Sequence, residues 1–178
     1  HSLHVIHRDL KPENIMVGDY GEVLVVDWGI AKVINGEATE DAPKQAPEQV
    51  VHTERELSGS NQTRYGMVSG TPAYMSPEQA SGQAHIADGR SDLWSVGVML
   101  YEQLFDERPF QGNLTEIVFK IRTIDVTIPK MKRGVSPPKD LITLCLKCLA
   151  RDPSQRLESC GDLSDELHRW LAGKPIHS

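Results

Sequence analysis

The sequence predicts an α+β fold that is mainly helical, and three patterns support this prediction. Two short apolar runs, 15–17 and 23–26, flank the turn-forming segment 18–22, which is typical of a β-hairpin. Residues 91–104 leave almost no polar face, which indicates a buried helix. Three amphipathic helical patterns follow it, so helices outnumber strands. A chain of 178 residues is long enough to bury one sizeable core, and one domain is expected.

The hairpin is flanked by polar side chains with metal-binding chemistry. Asn14 precedes its first strand and Asp27 follows its second, so the two can converge on one point. An amide oxygen and a carboxylate are hard ligands suited to Mg²⁺ on nucleotide phosphates. Asp9, on the loop that enters the hairpin, is expected to face the same point. Residues 1–6 are expected to be the end of a helix that leads into this loop.

The helical patterns carry start and stop signals. Asp92 falls in the first turn of the buried helix, where the helix dipole favours a carboxylate. Asn113 and Glu116 have the spacing of a capping box, which predicts the start of the first amphipathic helix. Ser136 is predicted to cap the next helix. The last helix is predicted to end at Gly173. The apolar stripes of the last two helices are Leu141, Leu144, Cys145, Cys148 and Leu149, and then Leu163, Leu167, Trp170 and Leu171.

Charge and hydropathy argue against two partner classes. The 19 basic and 25 acidic side chains give a net charge of −6, so the chain offers no electrostatic reason to expect nucleic acid. The nearest approach to a basic patch is Lys130, Lys132 and Arg133, which we interpret as a solvated loop. No apolar run approaches membrane-spanning length. We therefore expect neither nucleic acid nor membrane contact from this segment.

The cysteines and histidines leave minor alternatives open. Cys145 and Cys148 form a C-x-x-C pair, which alone could indicate metal or redox chemistry. Both fall on the apolar stripe of a predicted helix, so buried thiols acting as small hydrophobic groups are favoured. His1, His4 and His7 recur at every third residue, and a zinc site there is the less favoured alternative.

The stretch from His7 to Asn14 is a complete H-R-D-x-x-x-x-N motif, and Asp-Trp-Gly follows at 27–29. In this order, with an apolar hairpin between them, the two motifs resemble the catalytic loop and metal-binding segment of protein kinases. An ordinary polar loop before a hairpin is the structural alternative. Two further stretches resemble bacterial serine/threonine kinases of the Hanks type. They are Lys-Pro-Glu at 11–13 and the sequence Gly-Thr-Pro-Ala-Tyr-Met-Ser-Pro-Glu-Gln-Ala at 70–80.

The resemblance implies a phosphoryl-transfer site that uses ATP and Mg²⁺. It assigns Asp9 as the base that accepts the substrate hydroxyl proton, and Lys11 as the cation that holds the γ-phosphate. It assigns Asn14 and Asp27 as the Mg²⁺ ligands and Met16 as the floor beneath the adenine.

The resemblance also implies contacts that hold the site together. His7 is expected to pack into the core against Trp28, which stands where the family usually has Phe. Asp92 is expected to bind the backbone of the catalytic loop. Glu78 is expected to pair with Arg156.

Residues 27–78 correspond by resemblance to the activation segment. Its stretch 35–62 is polar and aperiodic and contains Gly and Pro, so we predict disorder there. The resemblance pairs Arg8 with a phosphate on this segment, with Thr63 and Ser69 as the best-placed acceptors and Ser58 and Ser60 behind them. It also implies that Thr71 hydrogen-bonds the catalytic Asp and Lys, which marks a serine/threonine kinase.

Two kinase motifs do not occur in the chain, namely a G-x-G phosphate loop and a Val-Ala-Ile-Lys strand. The resemblance therefore covers only the C-terminal lobe of the kinase fold, over residues 1–178. We expect a fragment that is inactive alone, from a cytoplasmic kinase domain whose parent could be membrane-anchored. Its expected partners are protein substrates, ATP and the N-terminal lobe. A non-catalytic kinase-lobe interaction module and a small-molecule phosphotransferase of related fold are the alternatives.

Overall fold

The computed structural model describes residues 1, 5–33, 72–130 and 136–177. Within these ranges the strands are β1 (Val5–Ile6), β2 (Ile15–Val17), β3 (Val23–Val25) and β4 (Lys32–Val33). The helices are α1 (Pro77–Ala80), α2 (Gly89–Phe105), α3 (Leu114–Thr123), α4 (Lys139–Cys148) and α5 (Cys160–Leu171). Single 3₁₀ turns occupy Pro12–Asn14, Pro72–Tyr74, Ala84–Ile86 and Pro153–Gln155. The prediction of a mainly helical α+β fold is confirmed.

The predicted hairpin is formed by β2 and β3, which pair antiparallel with Ile15 opposite Val25. Its turn is closed by a hydrogen bond of 2.8 Å from the Gly18 nitrogen to the Glu22 carbonyl. Gly21 has a φ of 86°, which a residue without Cβ adopts at little cost. The second strand ends at Val25, one residue earlier than its apolar run.

The expected helix end before the catalytic loop is wrong for the residues that the structure describes there. Val5 and Ile6 form β1, which pairs antiparallel with β4 so that Val5 lies opposite Val33. Two consecutive β-branched residues favour an extended backbone. Ile6 is completely buried, so this short strand anchors the start of the loop in the core.

α2 is the central element of the core, as its apolar sequence predicted. One hydrophobic cluster packs around Trp94, Val98 and Tyr101, and a second packs around Leu93. A Cβ on Gly97 would come within 2.7 Å of the Cys148 Cβ, so the glycine permits the close approach of α2 and α4. The other members of the first cluster are Tyr74, Met75, Ala80, Ile121, Cys145 and Leu149.

The predicted start of α3 agrees with the structure, and α5 ends two residues before the predicted Gly173. Asn113 and Glu116 form the predicted capping box of α3. α5 is capped at its start by Ser159, and Gly173 follows its end with a φ of 67°.

The predicted Ser136 cap of α4 is wrong. The helix begins at Lys139, after Pro138, and the Ser136 hydroxyl hydrogen-bonds the Pro137 carbonyl instead. A residue that precedes a proline is disfavoured in helical geometry, so Pro137 cannot start the helix before Pro138.

The prediction that Cys145 and Cys148 are buried is confirmed, since both are fully inaccessible. Burial raises the pKa of each thiol to about 12. Three predictions concern residues outside the described ranges. They are the disorder of 35–62, the less favoured zinc site that includes His4, and the solvated loop that contains Lys132 and Arg133. None of the described helices is long and apolar enough to cross a membrane.

Candidate active site

The backbone of the catalytic loop is held by a buried carboxylate of α2. Asp92 Oδ2 accepts a hydrogen bond from the His7 nitrogen at 2.7 Å, and Oδ1 accepts one from the Arg8 nitrogen at 2.8 Å. Arg8 has a φ of 71°, which is uncommon for a residue with a Cβ. The Asp92 contact that the sequence led us to expect is therefore present, and it stabilises a strained turn just before Asp9.

Asp9, Lys11 and Asn14 lie together on one side of this loop. Lys11 Nζ donates to Asp9 Oδ2 at 2.7 Å, and Asn14 Nδ2 donates to the Asp9 carbonyl at 2.9 Å. The 3₁₀ turn Pro12–Asn14 bends the chain back by hydrogen-bonding the Asn14 nitrogen to the Lys11 carbonyl at 3.0 Å. A carboxylate, an ammonium and a buried amide thus converge at the position that the motif predicted.

Asp27 lies at the same end of the hairpin as Asn14, because Val26, the residue before Asp27, pairs with Asn14. The Val26 nitrogen donates to the Asn14 carbonyl at 2.9 Å, which places Asp27 directly after a residue paired with Asn14. Asp27 has a φ of 63°, so the chain turns sharply there and leaves its carboxylate exposed.

The donor set of Asn14 and Asp27 fits a divalent cation. The amide of Asn14 is oriented by its donation to Asp9, and within the described residues no group donates to its Oδ1. One amide oxygen and one exposed carboxylate are therefore available as hard oxygen ligands. The amide orientation is the observation that makes Mg²⁺ compatible with this site.

His7 and Trp28 link the loop to the segment that follows the hairpin. Their rings are 4.7 Å apart and tilted by 57°, and His7 is only 2% exposed. His7 Nδ1 accepts from the Asp9 nitrogen at 3.3 Å, so Nε2 carries the proton that bonds the Val26 carbonyl at 3.0 Å. Trp28 remains 47% exposed, because its ring covers His7 from the outside of the core.

A contact that sequence reasoning missed joins α1 to the catalytic loop. Gln79 Nε2 donates to the Arg8 carbonyl at 2.7 Å. Ser76 and Gln79 form the capping box of α1, which fixes the orientation of the Gln79 side chain. The S-x-x-Q spacing was the sequence signal for this helix start.

Glu78 and Arg156 form the expected ion pair, and both are buried. Arg156 Nη1 and Nη2 each donate to a different Glu78 oxygen at 2.9 Å. Its remaining donors bond the carbonyls of Ala150, Arg90 and Arg151, so all five guanidinium hydrogens are satisfied. Burial alone would raise the pKa of Glu78, but the hydrogen bond and charge of Arg156 outweigh it and hold that pKa below 4.5.

The described structure does not place the remaining predicted site residues beside Asp9, Lys11 and Asn14. Met16 lies on the hairpin opposite Leu24 and is 58% exposed. The predicted phosphate acceptors and Thr71 lie outside the described residues, namely Ser58, Ser60, Thr63, Ser69 and Thr71.

The loop, the hairpin and the buried helix beneath them have the arrangement expected of a kinase catalytic region. The chain belongs to the protein kinase domain family, whose family model matches residues 1–168. The resemblance to bacterial serine/threonine kinases is confirmed by its relatives.

Three relatives illustrate this similarity. The chain is 38% identical to the serine/threonine-protein kinase PknD of Protochlamydia amoebophila, over 98% of the chain and 17% of that protein. It is 36% identical to PknD of Chlamydia trachomatis, over 98% of the chain and 18% of that protein. It is 34% identical to the serine/threonine-protein kinase PknB of Mycobacterium tuberculosis, over 98% of the chain and 24% of that protein. The chain thus spans between 17% and 24% of the length of these relatives.

Proposed function

We propose that the full-length protein containing this chain transfers the γ-phosphate of ATP to serine and threonine hydroxyls of proteins. The observation that supports this most strongly is the joint placement of Asp9, Lys11 and Asn14 on a loop whose backbone is bonded to Asp92. Phosphoryl transfer depends mainly on positioning and charge neutralisation, so a rigid loop carrying these groups is what the reaction requires.

In the proposed reaction the substrate hydroxyl oxygen attacks the γ-phosphorus, and the bond from that phosphorus to the β-phosphate oxygen breaks. ADP carries away the electron pair of the broken bond. The hydroxyl proton passes to the Asp9 carboxylate, which acts as the positioned base. Lys11, now paired with Asp9 Oδ2, supplies a point charge that the transferring phosphate can share.

Asn14 and Asp27 are the residues that would hold Mg²⁺. The apolar side chain of Met16 would contact the adenine. The metal supplies positive charge against the phosphate oxygens when it is bound. The presence of Asp9, Lys11, Asn14 and Asp27 argues against a non-catalytic interaction module.

Arg8 is proposed as the regulatory cation of this site. A phosphate on Thr63 or Ser69 would carry a charge of about −1.5 to −2. It would give Arg8 a further hydrogen-bond acceptor. Amide exchange of the phosphorylated protein, with and without Arg8→Ala, tests this role. Protection gained on phosphorylation that survives Arg8→Ala contradicts it.

The substrate class is tested with the full-length protein, Mg-ATP and three peptides that differ only in carrying Ser, Thr or Tyr. The proposal predicts phosphate on the Ser and Thr peptides. Transfer to Tyr alone, or to none of the three, contradicts it. The expectation that the 178-residue chain transfers no phosphate by itself stays a prediction, and the same assay checks it.

A further inference from the structure

The peptide unit between Arg8 and Asp9 is held at both of its polar atoms. Its carbonyl oxygen, on Arg8, accepts a hydrogen bond from Gln79 Nε2 at 2.7 Å. Its nitrogen, on Asp9, donates to His7 Nδ1 at 3.3 Å, so the contact with Gln79 is the shorter of the two. Because a peptide unit is planar, these two bonds fix the orientation of the whole unit. A rotation of this unit would change φ of Asp9, and with it the direction in which the Asp9 side chain leaves the backbone.

This peptide unit follows a strained residue. Arg8 has a left-handed φ of 71°, which a residue with a Cβ seldom adopts. Asp92 bonds the nitrogens of His7 and Arg8, which both come before the unit. Gln79 bonds the carbonyl that comes after the Arg8 α-carbon. Arg8 is therefore held by α2 on one side and by α1 on the other, and α1 is on the side of Asp9.

The side-chain amide of Gln79 has one favourable orientation. Gln79 Oε1 accepts from the Ser76 nitrogen at 3.0 Å and from the Ser76 hydroxyl at 3.1 Å. A half-turn of the amide would place its oxygen against the Arg8 carbonyl and its NH₂ group against the Ser76 N–H. Gln79 is 6% exposed and Ser76 is fully buried, so water does not compete for these bonds. Ser76 thus directs Nε2 of Gln79 toward Arg8.

α1 itself is anchored by the residue next to Gln79. Glu78 is paired with Arg156, and Glu78 Oε1 also accepts from the Ser91 hydroxyl of α2 at 2.7 Å. A helix of four residues has little stability of its own, so these buried contacts hold α1 in place. They give Gln79 a fixed base from which it reaches the catalytic loop.

We propose that Gln79 is a positioning residue for the reaction, because its amide holds the peptide unit before Asp9 and so directs the Asp9 carboxylate. This inference rests on the proposed protein-kinase function. Gln79 is buried and acts through the loop backbone, so its loss is expected to slow the chemical step while leaving the binding of substrates unchanged.

The experiment measures kcat and both KM values for the full-length protein with Mg-ATP and a serine peptide. Gln79→Met keeps the length of the side chain and removes its donor. We expect kcat to fall about 10-fold, because a misdirected base loses alignment with the reacting hydroxyl. The KM values for Mg-ATP and for the peptide should each stay within about 2-fold of those of the unsubstituted protein.

Gln79→Glu is a second variant with a readout that a purely structural role would not change. An ionised carboxylate still accepts from the Ser76 nitrogen but cannot donate to the Arg8 carbonyl, whereas a protonated carboxyl can. Burial beside that carbonyl favours the protonated form. The ratio of its kcat to that of the unsubstituted protein should therefore rise when the pH is lowered from about 8 to about 6. The same ratio for Gln79→Met should stay constant.

The charged and titratable groups around this contact are common to all three proteins, so their titration cancels in the ratio. These groups are His7, Arg8, Asp9, Glu78, Asp92 and Arg156.

Asn113→Ala is the matched control for a loss of stability. It removes the N-cap of α3, where Asn113 Oδ1 accepts from the Glu116 nitrogen at 3.0 Å. The lost cap destabilises the fold, and kcat should stay within about 2-fold because the catalytic loop keeps its contacts. Denaturant unfolding of each variant shows that the two losses of stability are comparable.

A Gln79→Met variant that keeps its kcat, or that raises KM while kcat is unchanged, overturns the inference. An equal fall of kcat in Asn113→Ala also overturns it, since stability alone would then explain the effect. If Gln79→Met does not fold, Gln79→Glu decides, and a kcat ratio that does not rise at low pH overturns the inference. Failure of the unsubstituted protein to phosphorylate the serine peptide would instead contradict the proposed kinase function.

Discussion

Asp92 Oδ1 accepts a hydrogen bond of 2.8 Å from the backbone nitrogen of Arg8, a residue 84 positions earlier in the chain. The carboxylate is only 1% exposed and belongs to the first turn of the central helix. Arg8 adopts a left-handed φ of 71° at this contact. A buried carboxylate in the first turn of α2 thus holds the backbone geometry just before Asp9, the proposed base.

Asp92→Ala is expected to lower the free energy of unfolding by about 3 kcal/mol, because two charge-assisted backbone hydrogen bonds are lost. Turnover should fall as well, since the loop is no longer held. Asp140→Ala is the matched control, because Asp140 lies in the first turn of α4. It should cost only about 0.3–1 kcal/mol through the helix dipole. Denaturant unfolding measures both, and equal losses would show that Asp92 acts only through the dipole.

The buried pair of Glu78 and Arg156 gives the second prediction. Arg156→Met should lower stability by about 3–5 kcal/mol, because it leaves the Glu78 carboxylate buried without its partner. The double variant Glu78→Gln/Arg156→Met should recover part of that loss. Arg151→Met removes the exposed pair with Asp125 and should cost about 1 kcal/mol or less.

Equal losses for Arg156→Met and Arg151→Met would contradict the importance of burial for this pair. A double variant as unstable as Arg156→Met alone would show that the unpaired Glu78 charge is not the source of the loss. Denaturant unfolding is again the measurement.

The same pair predicts how stability depends on pH. The pKa of Glu78 is lower in the folded chain than its ordinary value of 4.5, so the unfolded state takes up the proton first as the pH falls. The stabilisation is therefore present above pH 4.5 and is lost as the pH falls through the folded pKa.

The free energy of unfolding should accordingly decline as the pH falls below 4.5. Glu78→Gln should flatten that decline, although the variant starts from lower stability. The exposed control Glu158→Gln should leave the slope unchanged. An unchanged slope in Glu78→Gln would be evidence against the pKa assignment.

The helices were the most predictable part of the fold. α2 is apolar on nearly all faces, whereas α3 and α5 carry periodic apolar patterns. Asn113 and Glu116 have the capping-box spacing that predicts the start of α3. β1 and β4 are only two residues each, too short for any pattern, and their pairing joins segments distant in sequence. At α4 the Ser136 cap signal was overridden by two consecutive prolines, which delay the helix to Lys139.

The candidate site was predictable where its residues share one short motif. Asp9, Lys11 and Asn14 fall within six positions, so their proximity follows from local geometry. The contact from Gln79 to Arg8 spans 71 positions and has no local signature. The hydrogen bond from the Tyr74 hydroxyl to Glu102 spans 28 positions and was missed for the same reason.

Thiol labelling gives a fourth prediction. The pKa of Cys145 and Cys148 rises from 9.0 to about 12 on burial, which reduces the thiolate fraction by about three powers of ten at neutral pH. Cys160 is only partly buried, so iodoacetamide should modify it first among these three cysteines. Mass spectrometry of the labelled folded and unfolded protein measures this, with Cys160→Ser as control. Labelling of Cys145 or Cys148 in the folded protein as fast as that of Cys160 would contradict the prediction.

The most direct test of the proposed catalytic role is turnover and Mg-ATP affinity measured side by side for the full-length protein and its Asp9→Asn variant. We expect a kcat about 10²–10⁴-fold lower in the variant, because the positioned base is lost, with nucleotide affinity unchanged. Asp27→Ala should weaken Mg-ATP binding as well, and it serves as the comparison. An Asp9→Asn variant that keeps its kcat, or that loses as much nucleotide affinity as Asp27→Ala, would contradict the role assigned to Asp9.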